Sequence, residues 1–118
     1  MAEDWARPVV HWEIIAKDQA KMRDFYAQMF NWKIAEGPIA LVDAGIGAPE
    51  PEQFTGHILP GDASRVVLDI QVLDLRASMV KAEQLGGSII SQPFDVPNGP
   101  TIARIADPEG NHIGLVQQ

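Results

Sequence analysis

The sequence of 118 residues contains no cysteine. Disulfides, thiolate metal ligands and a cysteine nucleophile are therefore excluded. No segment approaches the run of about 18 apolar residues that a membrane-spanning helix needs. Basic residues are few, with 9 lysines and arginines against 16 aspartates and glutamates. The resulting net charge of -7 disfavours nucleic acid and anionic lipid as partners.

Signals for export and for hydrolytic chemistry are lacking as well. The first residues, MAEDWARPVV, carry no apolar segment behind a basic start, so we expect no secretory signal and a cytoplasmic protein. No G-x-S-x-G, H-E-x-x-H or glycine-rich phosphate loop occurs, and a nucleophilic hydrolase is not expected. The 46% of hydrophobic residues suffices for the core of one domain spanning residues 1–118.

The first half of the chain opens with a predicted strand. Residues 9–16 are rich in β-branched residues, which favour strands. The alternation of side chains places Trp12 and Ile14 on one face and His11 and Glu13 on the other. The strand is therefore expected to bury one face and to present polar side chains on the other.

A helix is predicted directly after this strand. Asp18 can cap it through its carboxylate, and Asn31 is expected to end it. Apolar residues recur at helical spacing and form one face of this helix: Met22, Phe25, Tyr26, Met29 and Phe30. Short strands are expected at 32–35, 39–44 and 54–59, with a loop rich in glycine and proline at 45–56.

The same order recurs in the second half. Residues 66–72 predict a strand with Val67, Asp69 and Gln71 on one face, and Asp74 predicts a second helix cap. The helical stripe comprises Leu75, Met79, Ala82 and Leu85, followed by Gly86 and Gly87 as a stop. Strands are expected at 89–90, 101–106 and 112–116, with Asp107 and Asn111 building the turn at 107–111. This repeat predicts two βαβββ modules, at about residues 8–60 and 64–117, and the alternative is a ferredoxin-like α+β sandwich.

The segments HWEIIAKD, MRDFYAQMFNWKI, LDIQVLDLRASMVKAEQLGGSII and ARIADPEGNHIGLVQ resemble the vicinal-oxygen-chelate superfamily. This superfamily includes glyoxalases, bleomycin-resistance proteins and extradiol dioxygenases. The resemblance covers residues 8–117 apart from the loop at 45–53. It implies an α+β fold in which two βαβββ modules form a cup-like curled mixed sheet with the helices outside, and it implies a homodimer. Facing the cavity of the cup would be His11, Glu13, Val67, Asp69 and Gln71.

The resemblance also implies four positions for the ligands of a divalent metal. They are His11, a residue near His57, Val67 and Gly114. Valine and glycine side chains supply no ligand atom, whereas a catalytic site usually has three protein ligands. We therefore expect no cofactor, with His11 and His57 as the remaining metal candidates. A different set of ligands would be His11, Glu13, Asp69 and His112.

The predicted ligand-binding residues are His11, Glu13, Asp69, Gln71, Arg104 and His112. Each also has a structural interpretation. His11 can be a strand histidine with one ring nitrogen hydrogen-bonded to a neighbouring residue. A buried Glu13 or Asp69 can pair with Arg104, and we favour this pairing because an unpaired buried charge is costly. The functional interpretation makes these carboxylates an acid or a base.

Our functional hypothesis is a glyoxalase/bleomycin-resistance-like protein that binds a small organic ligand, apolar or aromatic, in the cup without the superfamily's metal. The alternative is a lyase, isomerase or dioxygenase that uses His11 with Glu13 or Asp69, with or without a divalent metal. A third hypothesis is an interaction module in a dimer, whose cup is filled by side chains. Further expectations are gating by the loops at 45–56 and 94–100 and a partner contact at Trp5.

Overall fold

A computed structural model describes residues 6–42 and 55–117 of the chain. These residues form two helices and seven strands with both parallel and antiparallel pairing, which confirms the α+β class with a mixed sheet. No helix in the described ranges is long and apolar enough to cross a membrane. The elements are β1 (Val9–Ala16), α1 (Gln19–Phe30), β2 (Leu41–Val42), β3 (Gly56–Pro60), β4 (Arg65–Gln71), α2 (Leu75–Gln84), β5 (Ser88–Asp95), β6 (Thr101–Ala106) and β7 (His112–Gln117).

The chain divides into two compact units. The first unit is His11–Val67, and the second unit is Leu68–Gln118 together with Met1–Val10. In the second unit the backbone N–H of Gln71 donates to the carbonyl of Pro8, which ties the amino-terminal residues to β4. Each unit has its own core, formed where one helix covers one face of its strands.

In the first unit β3 is the central strand, parallel to β1 and antiparallel to β2. The carboxylate of Asp18 accepts a hydrogen bond from the backbone N–H of Lys21, so the predicted cap is confirmed. Asn31 ends α1 in the left-handed conformation with φ 63°, also as predicted. The core contains Ile14, Ala16, Ala40, Val42 and Ile58, with Trp12, Met22, Tyr26, Trp32 and Ile34 packed against it.

Gly56 makes room for an aromatic ring within this unit. It pairs with Trp12 in the β1–β3 register, and a Cβ atom on Gly56 would overlap the indole ring. The indole therefore lies across the backbone of β3. Trp32 then packs against Trp12 with ring centroids 5.3 Å apart, and Tyr26 stacks on Trp32 at 5.0 Å. This aromatic layer joins α1 to the strands.

In the second unit the strands are ordered β4–β7–β6–β5, with β4 and β7 parallel and the other pairs antiparallel. Asp74 caps α2 by accepting from the N–H of Ala77, as predicted. The side-chain oxygen of Gln117 accepts from the N–H of Leu75, so a second donor of the first turn is also satisfied. The core contains Val72, Leu75, Met79, Ala103 and Leu115.

The turn between β6 and β7 forms as the sequence predicts. The carboxylate of Asp107 accepts hydrogen bonds from the backbone N–H groups of Glu109 and Asn111 and from the Asn111 side chain. These bonds lower the pKa of Asp107 below its ordinary value, with the Asn111 side chain as the largest cause. Gly110 takes φ 90°, which a glycine adopts without steric cost.

Several boundaries differ from the predicted ones. The strand expected at 32–35 is reduced to a single bridge between Ile34 and Val42. The strand expected at 89–90 extends over the whole of β5, which includes Phe94 and Asp95, so the predicted loop at 94–100 begins only after Asp95. The register of β5 against β6 shifts twice, and such irregularities obscure the alternation that predicts a strand.

Several predicted core positions are exposed instead. Phe25, Met29 and Phe30 are more than half exposed, so only Met22 and Tyr26 of the α1 stripe pack on the core. Leu68 alternates with Val67 and Asp69 along β4, so the resemblance implies that it lies under a helix. It is 48% exposed instead, because α2 packs over β5, β6 and β7. Hydrophobic periodicity identifies the apolar face of an element but not the width of the surface that covers it.

Candidate functional site

His11 is the centre of a polar cluster in the first unit. Its Nε2 lies 2.5 Å from Nδ1 of His57, and its Nδ1 is 3.2 Å from the hydroxyl oxygen of Thr55. The two imidazole rings are tilted by 36° with centroids 4.6 Å apart. Both nitrogens of His11 are therefore engaged by neighbouring side chains. Its role in ligand binding stays a prediction.

Glu13 completes the cluster from the strand that carries His11. It pairs with His57 in the β1–β3 register, and its Oε1 is 3.8 Å from Nε2 of His57. Glu13 is only 7% exposed. Thr55, His11, His57 and Glu13 therefore form a connected polar series, named here the histidine cluster, with a hydroxyl at one end and a buried carboxylate at the other.

The pKa of His11 is lowered from its ordinary value. Burial is the main cause because it penalises the charged ring, and the neighbouring His57 lowers the pKa further. The carboxylate of Glu13 opposes these two effects. The balance favours a neutral His11, which can donate one hydrogen bond and accept another.

In the second unit, four predicted ligand-binding residues lie on one face of the strands. Leu115 and Ala103 point to the α2 core, so the residues that alternate with them point to the opposite face. Register pairs place Asp69, Gly114 and Arg104 side by side across β4, β7 and β6. This surface, named here the helix-free face, carries Asp69, Gln71, Phe94, Ile102, Arg104, His112, Gly114 and Val116.

Gly114 creates a gap that the carboxylate of Asp69 enters. A Cβ atom built on Gly114 would overlap Oδ1 of Asp69, so the carboxylate lies over the backbone of β7. Asp69 is 5% exposed in this position. The carboxylate thus points from β4 toward β7, where Gly114 pairs with Arg104 of β6. The expected pairing of Arg104 with Glu13 or Asp69 remains a prediction.

The two units use equivalent positions differently. Glu13 pairs with His57 across β1 and β3, and Asp69 pairs with Gly114 across β4 and β7. His57 and Gly114 are therefore equivalent in the two halves. The register supports assigning His57 to the position that the resemblance placed only near it.

The donor atoms at the four implied metal positions do not fit the superfamily's metal. His11 and His57 direct one nitrogen of each ring at the other, and Val67 and Gly114 have no ligating atom. Val67 is fully buried, and the space at Gly114 is taken by Asp69. Within residues 6–42 and 55–117, no group of three or more His, Cys, Asp or Glu side chains is placed to hold a metal ion.

Thr55 is a residue of the cluster that sequence reasoning missed. It falls in both the loop expected at 45–56 and the strand expected at 54–59, and it lies directly before β3, which begins at Gly56. Thr55 shares strand parity with His57, and this spacing could have placed it beside His11. Trp5 and most of the loop at 45–56 lie outside the described residues.

A surface groove of about 540 Å³ lies on the opposite side of the second unit from the helix-free face. It runs along α2 and the turn between β6 and β7, and it contains none of the predicted ligand-binding residues. Most of its lining is apolar. Arg7 and Lys81 contribute cations, while Asp74 and Asp107 contribute carboxylates that already cap α2 and build the turn.

The sequence profile of a family described as a glyoxalase-like domain matches residues 10–116. Comparison with curated protein sequences gives no match. Methylmalonyl-CoA epimerase from Streptomyces coelicolor, in complex with 2-nitronate-propionyl-CoA, superposes with a TM-score of 0.63 at 13% identity, covering 97% of this chain and 96% of that one. These coverages show that the epimerase shares the fold over nearly its full length.

Two larger proteins contain the same fold. The Mn(II)-bound glyoxalase from Novosphingobium aromaticivorans gives a TM-score of 0.64 at 16% identity, covering 96% of this chain and 40% of that one. Homoprotocatechuate 2,3-dioxygenase from B. fuscum gives 0.65 at 16% identity, covering 98% and 33%. The chain thus spans less than half of either protein, and these identities support the fold alone. The profile match and the three structures confirm the resemblance to the vicinal-oxygen-chelate superfamily.

Proposed function

Because the chain belongs to the glyoxalase-like domain family, we propose that it binds a small organic ligand without the divalent metal of the superfamily's enzymes. The observation that carries this proposal is the contact between His11 and His57. Their facing nitrogens bond to each other, and the other two implied ligand positions are Val67 and Gly114. The neutral state of His11, which burial favours, suits recognition of an organic molecule through hydrogen bonds.

Metal analysis tests the first half of the proposal. The protein is produced without a histidine tag in medium supplemented with manganese and zinc, and bound metal is measured after desalting. We expect far less than one metal ion per chain. About one tightly held ion per chain would contradict metal-free binding.

A thermal-shift screen of small organic compounds tests the second half. A ligand at 100 times its Kd stabilises the folded state by about 2.7 kcal/mol, which is readily detected. His11→Ala should weaken a hit, whereas Gln84→Ala at the end of α2 should not. Unchanged affinity in His11→Ala would remove the histidine cluster from the binding site, and the absence of any stabilising compound would argue against an open ligand site.

A second candidate function is proton transfer on a carbon acid. The histidine cluster favours it, because a hydroxyl and two imidazoles lie within hydrogen-bonding distance in series, with the buried carboxylate of Glu13 3.8 Å from His57. The base would take a proton from a carbon beside a carbonyl and return one to the same carbon. An isomerase of this kind would use His11 with Glu13, and one similarly folded protein is a methylmalonyl-CoA epimerase.

Hydrogen exchange distinguishes the two functions. Methylmalonyl-CoA is incubated with the protein in D2O, and loss of its C2 hydrogen is followed by proton NMR. Acid–base catalysis would be supported by exchange faster than the protein-free rate. Glu13→Gln should abolish this exchange, whereas Glu109→Gln in the exposed turn should leave it intact. Exchange at the protein-free rate would reject this substrate.

We propose in addition that the chain forms a homodimer, since proteins of the superfamily often pair. Light scattering coupled to size-exclusion chromatography should give about twice the chain mass of 12.9 kDa. A single-chain mass at all concentrations would contradict the dimer. The net charge of -7 supports the expectation that nucleic acid is not a partner.

A further inference from the structure

We infer that Asn98 is a site of spontaneous deamidation, in which the backbone nitrogen of Gly99 attacks the asparagine side chain. This inference goes beyond the proposed function and does not depend on it. Asn98 and Gly99 lie at the tip of the hairpin between β5 and β6, and both are exposed. The fold therefore places the two reacting groups next to each other on a surface that water and hydroxide reach.

The hairpin tip holds Asn98 in the left-handed conformation, with φ 60°. Pro97 precedes it, and the N–H of Gly99 donates to the carbonyl of Val96 at 2.8 Å. A proline followed by a left-handed asparagine is the pattern of a type II turn. The bond to Val96 has to open before the Gly99 nitrogen can react, and exposed turns open locally at low cost. We therefore expect the fold to slow the reaction but not to prevent it.

The reaction needs only water and base, and asparagine is among the thermally labile residues. The Gly99 nitrogen gives its proton to hydroxide, forms a bond to the side-chain carbonyl carbon of Asn98 and displaces ammonia. The product is a cyclic succinimide. Water then opens the ring at either of its carbonyl carbons. One opening gives aspartate, and the other gives isoaspartate, in which the backbone runs through the former side chain.

The other two asparagines of the chain are in settings that hinder this chemistry. Asn31 has the same left-handed conformation, with φ 63°, but the next residue is Trp32, which is half-buried and stacked on Tyr26. The side-chain amide of Asn111 donates to the carboxylate of Asp107 at 2.9 Å, and this bond holds it in the turn. Asn98 is thus the asparagine whose following residue has no side chain to obstruct the attack.

Deamidation would alter the hairpin at the end of the helix-free face. Asp95 and Thr101 are the register pair nearest the tip, and Phe94 and Ile102 of the helix-free face are the next pair. Aspartate at position 98 adds a negative charge and leaves the backbone unchanged. Isoaspartate adds a carbon to the backbone, so the turn can no longer close with the same hydrogen bond. We expect the isoaspartate form to have faster amide exchange at Val96 and Gly99.

The test incubates the folded protein at mildly alkaline pH and follows each asparagine by tryptic peptide mapping, with a zero-time sample as the reference. Cleavage after lysine and arginine places the three asparagines in separate peptides, 24–33, 82–104 and 105–118. Peptide 82–104 should gain the mass of deamidation and separate into an aspartate and an isoaspartate species. Its rate should exceed that of the other two peptides at least about tenfold, the ratio that corresponds to ~1.4 kcal/mol of activation free energy.

Asn98→Gly is the control variant, because glycine suits a positive φ and carries no side-chain amide. Its peptide 82–104 should keep its mass, whereas a gain of mass there would assign the change to Gln84 or Gln92 and overturn the inference. The same holds if the three asparagines of the wild-type protein react at equal rates. Aspartate formed without isoaspartate would exclude the attack by Gly99. An unmodified Asn98 in the folded protein, after the urea-unfolded chain has deamidated there, would show that the turn blocks the reaction.

Discussion

His11 and His57 share a hydrogen bond in which Nε2 of one ring is 2.5 Å from Nδ1 of the other. One of these nitrogens donates and the other accepts, so the two rings cannot both be protonated at the facing positions. Protonation of both imidazoles would place two N–H groups against each other. We therefore expect protonation of His11 to weaken the contact between β1 and β3.

The first prediction is that the free energy of unfolding falls as the pH falls below 6.5. Folding lowers the pKa of His11 from its ordinary value of 6.5, mainly through burial, so the unfolded chain binds the proton more readily. The stabilising contribution is complete above pH 6.5 and is lost as the pH falls toward the lowered pKa. Urea unfolding, followed by tryptophan fluorescence from about pH 7.5 to about pH 5.5, avoids most carboxylate titration.

His11→Gln is the control for this prediction, because glutamine retains hydrogen-bonding groups but does not titrate. Its unfolding free energy should depend less on pH than that of the wild-type protein. Parallel pH profiles for the two proteins would show that His11 does not carry the effect. A profile that rises toward low pH in the wild-type protein would reverse the sign that burial requires.

The scaffold of each half could be predicted from local signals. Asp18 and Asp74 follow strands and precede helical stripes, and both cap their helices as predicted. The bounds of β1 and β6 match the prediction because both segments are rich in β-branched residues and contain no glycine or proline. These features depend on the nearest few residues, and a sequence displays such information directly.

The candidate site depends on cross-strand register, which the sequence does not display. The alternation of side chains placed His11 and Glu13 on the same face of one strand. It could not show that His57, from another strand, would lie against both of them. The role of Gly114 was also hidden. In the sequence, a glycine at position 114 shows only that a metal-ligand side chain is missing there. The register with Asp69 shows that the space left by the missing side chain is occupied by the Asp69 carboxylate.

The second prediction concerns two leucines of the α2 region that sequence reasoning assigned to one stripe. Leu75 is 1% exposed and Leu85 is 69% exposed. Leu75→Ala should lower the free energy of unfolding by about 2–5 kcal/mol, since it leaves a cavity in the core. Leu85→Ala should cost about 0.5 kcal/mol or less. Equal losses in urea unfolding would contradict the placement of α2.

The third prediction concerns the helix caps. Asp18→Ala and Asp74→Ala each remove an acceptor from the first helical turn, and each should cost about 0.5–2 kcal/mol. Asp62→Ala is the control, because Asp62 is an exposed aspartate between β3 and β4. Thermal and urea unfolding of the three variants measure the difference. If Asp62→Ala were as destabilising as the other two, the loss would reflect charge and not capping.

The fourth prediction concerns the coupling of Asp69 with Gly114. Gly114→Ala places a methyl group where Oδ1 of Asp69 lies, so it should destabilise the fold by about 1–3 kcal/mol, as overpacking does. Asp69→Ala removes the obstructing carboxylate, and Gly114→Ala should then cost much less. The double-mutant cycle should therefore give a coupling energy of about 0.5–3 kcal/mol, as is usual for residues in contact. Additive losses in urea unfolding would mean that the carboxylate does not occupy the gap over β7.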